Sequence, residues 1–325
     1  MRRWLSRLMW GGIYVLVFAL SAGGGALMAT RTGQSFAGIE EVDWDDTMGS
    51  VETDLPYGDG ELNCFDLFLP ADAAHASRLV LYIHAGGFTS GDKADDTSIA
   101  ESFAAQGYVA ATINYSLASE GSTASVPEMA QEIRAGVAAI EAAASERGYD
   151  LDGIVLAGGS AGGALAMITA YGATDDLALP VDAVMSFVGP AGFEPADWFD
   201  IEDRDYATDE SAEAGAAFAS IMAGQRITPE MMRSGAYREV LAPITAKDLV
   251  HDGAPPSLLA YGALDKVAPY AASREMEGIL EAHGVPHDVL VFPNSGHALN
   301  RDPEMNEELG GLIQRYLDTY APLRS

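Results

Sequence analysis

A serine flanked by glycines is the first candidate for chemistry in this sequence. Ser160 stands in the segment Gly-Gly-Ser-Ala-Gly of residues 158–162, directly after the apolar run Ile154–Ala157. Gly-x-Ser-x-Gly between a strand and a helix is typical of a nucleophile elbow, a sharp turn that holds the serine in a strained conformation. The segment Ala161–Tyr171 predicts a buried helix, whose first N–H groups would face negative charge formed beside the serine. A plain Gly-rich turn is the alternative interpretation.

A serine is a weak nucleophile until a base takes its proton. Four histidines follow Ser160 in the chain: His251, His283, His287 and His297. His297 comes after the strand-like run Val289–Phe292 and a Pro-Asn-Ser-Gly loop, so we expect it at the end of a strand. The other three lie in polar or turn-forming segments, where solvated surface histidines are the simpler interpretation.

Asp265 is the candidate that would orient this base. It follows the strand-like run Ser257–Gly262. An aspartate at this point can also serve as a turn or N-cap residue, here ahead of a helix that we expect to begin near Pro269. The order Ser160, Asp265, His297, each after a predicted strand, favours the catalytic interpretation over the structural one.

A pair of glycines upstream offers backbone donors for a developing negative charge. The buried run Leu79–Ile83 ends in His84-Ala85-Gly86-Gly87. Without side chains to obstruct them, the N–H groups of Gly86 and Gly87, together with that of Ala161, could bind the oxygen of a tetrahedral intermediate. We expect His84 to organise this loop rather than to act as a base. A tight turn without catalytic meaning is the alternative.

With these motifs in place, the chain resembles the α/β-hydrolase superfamily. It is most similar to esterases with a His-Gly-Gly-type oxyanion motif, the hormone-sensitive-lipase-like carboxylesterases and acetyl- or feruloyl-esterase relatives. The resemblance runs from about Leu62 to Tyr320 and includes Gly91-Asp92-Lys93 and Gly107–Tyr115. It implies an α/β-hydrolase fold, a triad of Ser160, Asp265 and His297, and oxyanion donors at Gly86, Gly87 and Ala161. Ala85 replaces the first glycine of the usual oxyanion turn.

The order of predicted elements agrees with an α/β fold. Apolar strand-like runs near 79–83, 108–114, 153–158, 182–188, 256–261 and 287–292 alternate with helical ones. This alternation predicts a mostly parallel sheet with helices on both faces, and ligands at the carboxyl ends of its strands. We expect a hydrolase domain over residues 61–325, with a small helical cap inserted at about 193–252. Residues 30–60 would form a linker and an edge strand.

The N-terminal segment has the composition of an export signal. Arg2, Arg3 and Arg7 precede Leu8–Ala29, which holds 22 residues without a charge. An apolar helix of this length could cross about 30 Å of bilayer. The sequence therefore predicts, over residues 1–29, a membrane-spanning signal anchor or a cleaved signal peptide. No clear Ala-x-Ala cleavage site appears, which favours the anchor. The catalytic domain would lie outside the cytoplasm, or be secreted after cleavage.

Charge and cysteine content exclude several kinds of partner. The chain carries 48 Asp and Glu against 18 Lys and Arg, a net charge of −30. Such a surface argues against binding nucleic acids or anionic lipid surfaces. With one cysteine, Cys64, there is neither an internal disulfide nor a Cys-pair metal site. We expect no metal and no cofactor.

The sequence thus predicts an exported serine carboxylesterase that hydrolyses small, short-acyl esters through an acyl-enzyme. Two alternatives stay open. A peptidase of the same fold could use the same triad, although such peptidases usually carry an accessory domain for which this chain has no room. A binding protein of this fold is the other alternative, and such proteins normally lack a triad member, whereas none is missing here.

Overall fold

The computed structural model describes residue 39 and residues 42–118, 124–172, 176–199 and 204–325. Its strands are β1 (Gly49–Pro56), β2 (Cys64–Pro70), β3 (Arg78–Ile83), β4 (Val109–Ile113), β5 (Gly153–Gly159), β6 (Val181–Phe187), β7 (Ser257–Gly262) and β8 (His287–Phe292). Its helices are α1 (Thr97–Ala105), α2 (Val126–Glu146), α3 (Ala161–Tyr171), α4 (Pro195–Phe199), α5 (Asp209–Ala223), α6 (Pro229–Ser234), α7 (Tyr237–Leu241), α8 (Ala246–Leu249), α9 (Met276–Ala282) and α10 (Pro303–Tyr320).

The strands form one eight-stranded sheet in the order β1-β2-β4-β3-β5-β6-β7-β8. In this order, every neighbouring pair from β4 through β3 and β5 to β8 is parallel. The pairs β1–β2 and β2–β4 are antiparallel and form one edge of the sheet. In β3, Leu79 and Leu81 belong to one core and Val80 and Tyr82 to the other, because successive side chains of a strand face opposite sides. Both faces are therefore covered, as expected for a parallel sheet.

Helices cover each face of the sheet. Helix α2 buries Val126, Met129, Ile133, Val137 and Ile140, spaced by three and four positions, and α3 is buried along its whole length on the same side. Helices α1 and α10 contribute to the core on the opposite face. The predicted mostly parallel sheet with helices on both faces is confirmed. Strand β1 is the edge strand within the segment 30–60.

The insertion between β6 and β7 carries the short helices α4 to α8 and falls where the sequence predicts a cap. Along the described ranges, no helix combines the length and apolar character needed to cross a membrane. The predicted anchor or signal segment, residues 1–29, lies outside the described residues.

Candidate active site

Ser160 occupies a strained turn between β5 and α3. Its backbone has φ 53° and ψ −116°, a region that residues with side chains rarely adopt. A Cβ on Gly162 would lie 1.9 Å from the carbonyl oxygen of Ile83, and one on Gly158 would lie 2.6 Å from the backbone of Gly162. The turn is therefore possible only because both positions are glycine. The N–H of Ser160 donates to the carbonyl of Phe187 at 2.7 Å, which fixes the turn to β6.

A continuous hydrogen-bonded relay joins Ser160 to two residues far away in the sequence. His297 Nε2 lies 2.8 Å from Ser160 Oγ, and His297 Nδ1 lies 2.7 Å from Asp265 Oδ2. Ser160 and Asp265 are only 7% and 8% exposed, so the relay is shielded from bulk water. The three side chains come from the ends of β5, β7 and β8, the carboxyl edge of the sheet.

Asp265 makes both kinds of contact that its position suggested. Its Oδ1 accepts hydrogen bonds from the N–H groups of Val267 at 2.8 Å and Ala268 at 3.1 Å, as a turn residue would. Its Oδ2 remains for His297. Because an ionised carboxylate only accepts, Nδ1 of His297 carries the proton and Nε2 presents its lone pair to Ser160. This is the tautomer that a general base requires.

The loop that carries His297 is held by a residue that the sequence did not single out. Asp302 accepts hydrogen bonds from the Ser295 hydroxyl at 2.6 Å and from the Asn294 amide side chain at 2.7 Å. Although burial opposes its charge, these hydrogen bonds lower the pKa of the Asp302 carboxyl below its usual value. Asp302 thus holds Asn294 and Ser295, two residues of the loop that leads to His297.

The predicted oxyanion turn follows β3, the neighbour of β5. Ile83 at the end of β3 is in register with Gly158, so the turn starts beside the elbow. Gly86 and Gly87 have φ 125° and 61°, and a Cβ on Gly86 would lie 1.8 Å from the carbonyl oxygen of Ser90. The turn is therefore specific to glycine. Ala161, the third predicted donor, begins α3, where the first N–H groups have no partner within the helix.

His84 lies behind this turn. It is 1% exposed, and its ring stacks on Tyr115 with centroids 4.2 Å apart. Its Nδ1 donates to the carbonyl of Ala85 at 2.6 Å, and the Tyr115 hydroxyl donates to the carbonyl of His84 at 2.9 Å. Burial lowers the pKa of the His84 imidazole, which keeps it neutral. These contacts agree with the expectation that His84 organises this loop.

The remaining candidate histidines lie away from the relay. His283 bonds the exposed Asp252, and His287 bonds the carbonyl of Val285. His251 is exposed beside Asp252. Within the described ranges, no group of three or more His, Cys, Asp or Glu side chains is placed to hold a metal ion.

Solved esterase structures share this architecture. Esterase B from Lactobacillus rhamnosis (HN001) matches with a TM-score of 0.66 over 97% of this chain and 96% of its own, at 20% identity. An esterase of the planctomycete Thermogutta terrifontis, Est2 with propionate bound, matches with a TM-score of 0.63 over 86% of this chain and 96% of its own, at 18% identity. These similarities establish the α/β-hydrolase fold.

Several of the curated relatives are also esterases by name. The probable isoprenylcysteine alpha-carbonyl methylesterase ICME of Oryza sativa subsp. japonica is 24% identical over 247 residues, which are 74% of this chain and 56% of the relative. Esterase LipQ of Mycobacterium tuberculosis is 25% identical over 261 residues, 76% of this chain and 57% of the relative. The chain spans about half the length of these curated relatives.

The chain has an α/β-hydrolase fold and is similar to proteins that are named as esterases. It belongs to the BD-FAE family, whose model matches residues 65–280. That match covers the elbow serine, the oxyanion turn and Asp265, and it ends before β8 and His297.

Proposed function

We propose that this protein is an exported serine carboxylesterase that hydrolyses small, short-acyl esters. The observation that carries the proposal is the relay from Ser160 Oγ through His297 to Asp265, with donor–acceptor distances of 2.8 and 2.7 Å. A serine hydroxyl, a correctly protonated imidazole and a buried carboxylate in this order form the nucleophile, base and orienting group of covalent acyl transfer.

In the first half of the reaction, Ser160 Oγ attacks the ester carbonyl while its proton passes to His297 Nε2. The oxygen–carbon bond forms as the carbonyl π bond becomes an oxyanion. The imidazolium is stabilised by the Asp265 carboxylate, which stays ionised. When the tetrahedral intermediate collapses, His297 gives the proton to the leaving alcohol, and the acyl group stays on Ser160.

In the second half, water takes the place of the alcohol. His297 removes a proton from that water, whose oxygen attacks the acyl carbon. The second tetrahedral intermediate then releases the carboxylic acid, and the proton returns to Ser160 Oγ. The same three side chains therefore serve both halves of the cycle.

We assign the oxyanion donors to the N–H groups of Gly86, Gly87 and Ala161. The positive φ values of the two glycines and the position of Ala161 at the start of α3 support this assignment. Removing one such donor typically costs about 2.7–4 kcal/mol of transition-state stabilisation.

The insertion between β6 and β7 supports a preference for substrates with a short acyl group. A chain of aromatic contacts runs from Phe88, which follows Gly87 directly, to Phe193, Trp198 and Phe218, with ring centroids 5.2–5.9 Å apart. Phe88 and Phe193 are buried, so their rings fill the space between the oxyanion turn and the insertion. We propose that this insertion acts as a small cap and limits acyl length.

The experiment that tests this function is hydrolysis of p-nitrophenyl acetate by the full chain, beside the same chain with Ser160→Ala. We expect turnover in the wild type and its loss in the variant. Ser102→Ala is the matched control, because it removes another buried hydroxyl. That hydroxyl donates to the carbonyl of Ser98 at 2.8 Å within α1, on the opposite face of the sheet. Equal rates in all three proteins would contradict the proposal.

Two further readouts refine the result. Rates that rise steadily from acetyl to octanoyl esters would overturn the short-acyl part of the proposal. A folded wild type without ester turnover would favour a peptide substrate or a binding role instead.

Export is the second part of the proposal. It is supported by the three arginines ahead of the uncharged stretch Leu8–Ala29. Fractionation of cells that make the full chain should place it in the membrane or outside the cytoplasm, and a soluble cytoplasmic protein would contradict this. N-terminal sequencing of the mature protein separates a retained anchor from a cleaved signal peptide.

A further inference from the structure

A buried lysine ends the oxyanion loop, which we define as residues 84–93. Lys93 is only 5% exposed, and its Nζ lies 2.8 Å from Asp54 Oδ1 and 2.8 Å from Asp66 Oδ1. Asp66 is itself buried within β2. Taking such charges out of water costs several kcal/mol per ion, and a well-packed apolar group often serves stability equally well. The arrangement therefore calls for an explanation other than stability.

The two carboxylate partners of Lys93 favour the charged form of its ammonium group. Burial opposes the charge, but hydrogen bonds and electrostatic attraction from Asp54 and Asp66 outweigh burial and raise the pKa of Lys93 above its usual value. Asp54 also donates its own N–H to Asp66 Oδ1 at 2.8 Å. One cation thus ties the end of the oxyanion loop to both strands of the antiparallel edge.

The backbone at the same point is tied to the end of β4. The N–H of Lys93 donates to Asn114 Oδ1 at 2.7 Å, and Asn114 Nδ2 donates to Asp92 Oδ2 at 3.1 Å. Asp92 in turn accepts from the N–H of Ala94 at 2.9 Å and so caps the 3₁₀ turn Lys93–Asp96. Side chain and main chain therefore fix Lys93 independently.

Close contacts connect the residues just before Lys93 to the turn that carries the predicted oxyanion donors. Gly91 has φ 103°, and a Cβ there would lie 2.2 Å from the carbonyl oxygen of Ala85 and 2.5 Å from His84 Nδ1. The carbonyl of Gly86 accepts from the N–H of Ser90 at 3.1 Å. Residues 90–91 thus lie directly against residues 84–86, and the hydrogen bond from Ser90 to Gly86 joins the two segments.

We propose that Lys93 is a positioning residue for catalysis. By clamping the end of the oxyanion loop to Asp54 and Asp66, it holds Gly86 and Gly87 where their N–H groups meet the oxyanion. The inference rests on the proposed esterase function. Oriented donors need fixed positions, because misplacement by about 1 Å can cost a hundredfold in rate.

The test is Lys93→Met in the full chain, which keeps the length of the side chain and removes its charge. We expect kcat per titrated active site to fall by about tenfold to a hundredfold, with KM changed by less than about threefold. A trifluoromethyl ketone forms a tetrahedral adduct with the serine, and its affinity should weaken by the same factor as kcat/KM. A purely structural role would leave both quantities unchanged in the folded fraction.

Arg147→Met is the matched control. It removes another ion pair to β1, in which Arg147 Nε lies 2.5 Å from Glu52 Oε1, without touching the oxyanion loop. We expect it to lower thermal stability and to leave kcat per active site unchanged. If Lys93→Met does not fold, Lys93→Met with Asp66→Asn carries the test, because the second change removes the uncompensated buried charge.

The outcomes separate the two proposals. A Lys93→Met enzyme with wild-type kcat and wild-type ketone affinity overturns the positioning role and leaves the esterase function intact. The same losses in Arg147→Met would also overturn it, since any weakening of the edge would then suffice. A folded wild type without ester turnover overturns the proposed function, and the positioning role with it.

Discussion

Replacing Asp265 by Asn should disable the relay while leaving the fold intact. The two oxygens of Asp265 are not equivalent, because Oδ1 accepts from the N–H groups of Val267 and Ala268 and Oδ2 faces His297. An amide has one acceptor and one donor end. The acceptor end of Asn must therefore occupy the Oδ1 position, since an NH₂ group cannot satisfy two N–H donors. Its NH₂ end then faces His297.

This orientation reverses the protonation of the imidazole. Facing a donor, Nδ1 of His297 must act as an acceptor, so the proton moves to Nε2. Nε2–H can only donate to Ser160 and can no longer take its proton. The same exchange in the triad of a serine protease lowers kcat by about 10⁴, which corresponds to about 5 kcal/mol. We expect a loss of that order here, with KM nearly unchanged.

The assay is the pH-dependent kcat for p-nitrophenyl acetate, with thermal unfolding measured in parallel. Asp252→Asn is the matched control, because Asp252 also bonds a histidine, His283, at 2.8 Å but lies exposed and outside the site. We expect the control to keep wild-type kcat. An Asp265→Asn enzyme within tenfold of the wild type would refute the assignment of Asp265 and the tautomer argument together.

Two further predictions concern stability. Gly162→Ala places a Cβ 1.9 Å from the Ile83 carbonyl oxygen and should lower the free energy of unfolding, measured by urea titration, by about 3 kcal/mol. Gly278→Ala is the control, because a Cβ at this position in α9 would meet no atom within 4 Å, and it should raise the free energy of unfolding by about 0.5–1 kcal/mol. The opposite ranking would contradict the close fit of the elbow. Because burial lowers the pKa of His84 from its ordinary value of 6.5, the unfolded chain binds a proton there before the folded chain does, so stability falls as the pH drops below about 6.5. In His84→Phe, the fall between pH 7.5 and 5.5 should shrink measurably, by up to about 1.4 kcal/mol, and an unchanged pH dependence would contradict the lowered pKa of His84.

Much of the site could be predicted because its signals are local. An apolar run followed by small or polar residues marks a buried strand and the loop after it. The predicted strands at 153–158 and 256–261 agree with Gly153–Gly159 and Ser257–Gly262. The three relay residues follow such strands in the order that the resemblance implies, and the structure brings them into contact.

Other features depend on partners distant in the sequence. No sequence pattern near Lys93 predicts its ion pairs with Asp54 and Asp66. Those contacts depend on the register of β1 on β2 and on the path of the chain after β3. The role of Asp302 likewise could not be predicted, because its contact with Ser295 forms only when the loop before α10 folds back.

One predicted element begins later than expected. The helix predicted to begin near Pro269 is instead a single 3₁₀ turn, Tyr270–Ala272, and α9 starts at Met276. Residues 273–275 separate the two. Ser273 has φ −125°, and its hydroxyl accepts a hydrogen bond from the N–H of Ala191. A tertiary contact with the chain after β6 thus overrides the local preference for helix.

The serine of the relay precedes its histidine along the chain, and this order matters while the protein is being synthesised and folded. Ser160 is synthesised 137 positions before His297, and the histidine follows β8, the strand at the edge of the sheet. On the proposed mechanism, a nascent or still unfolded chain carries a serine without its base and should not hydrolyse esters. Ester turnover should then begin only after β8 and the loop that carries His297 have folded onto the sheet.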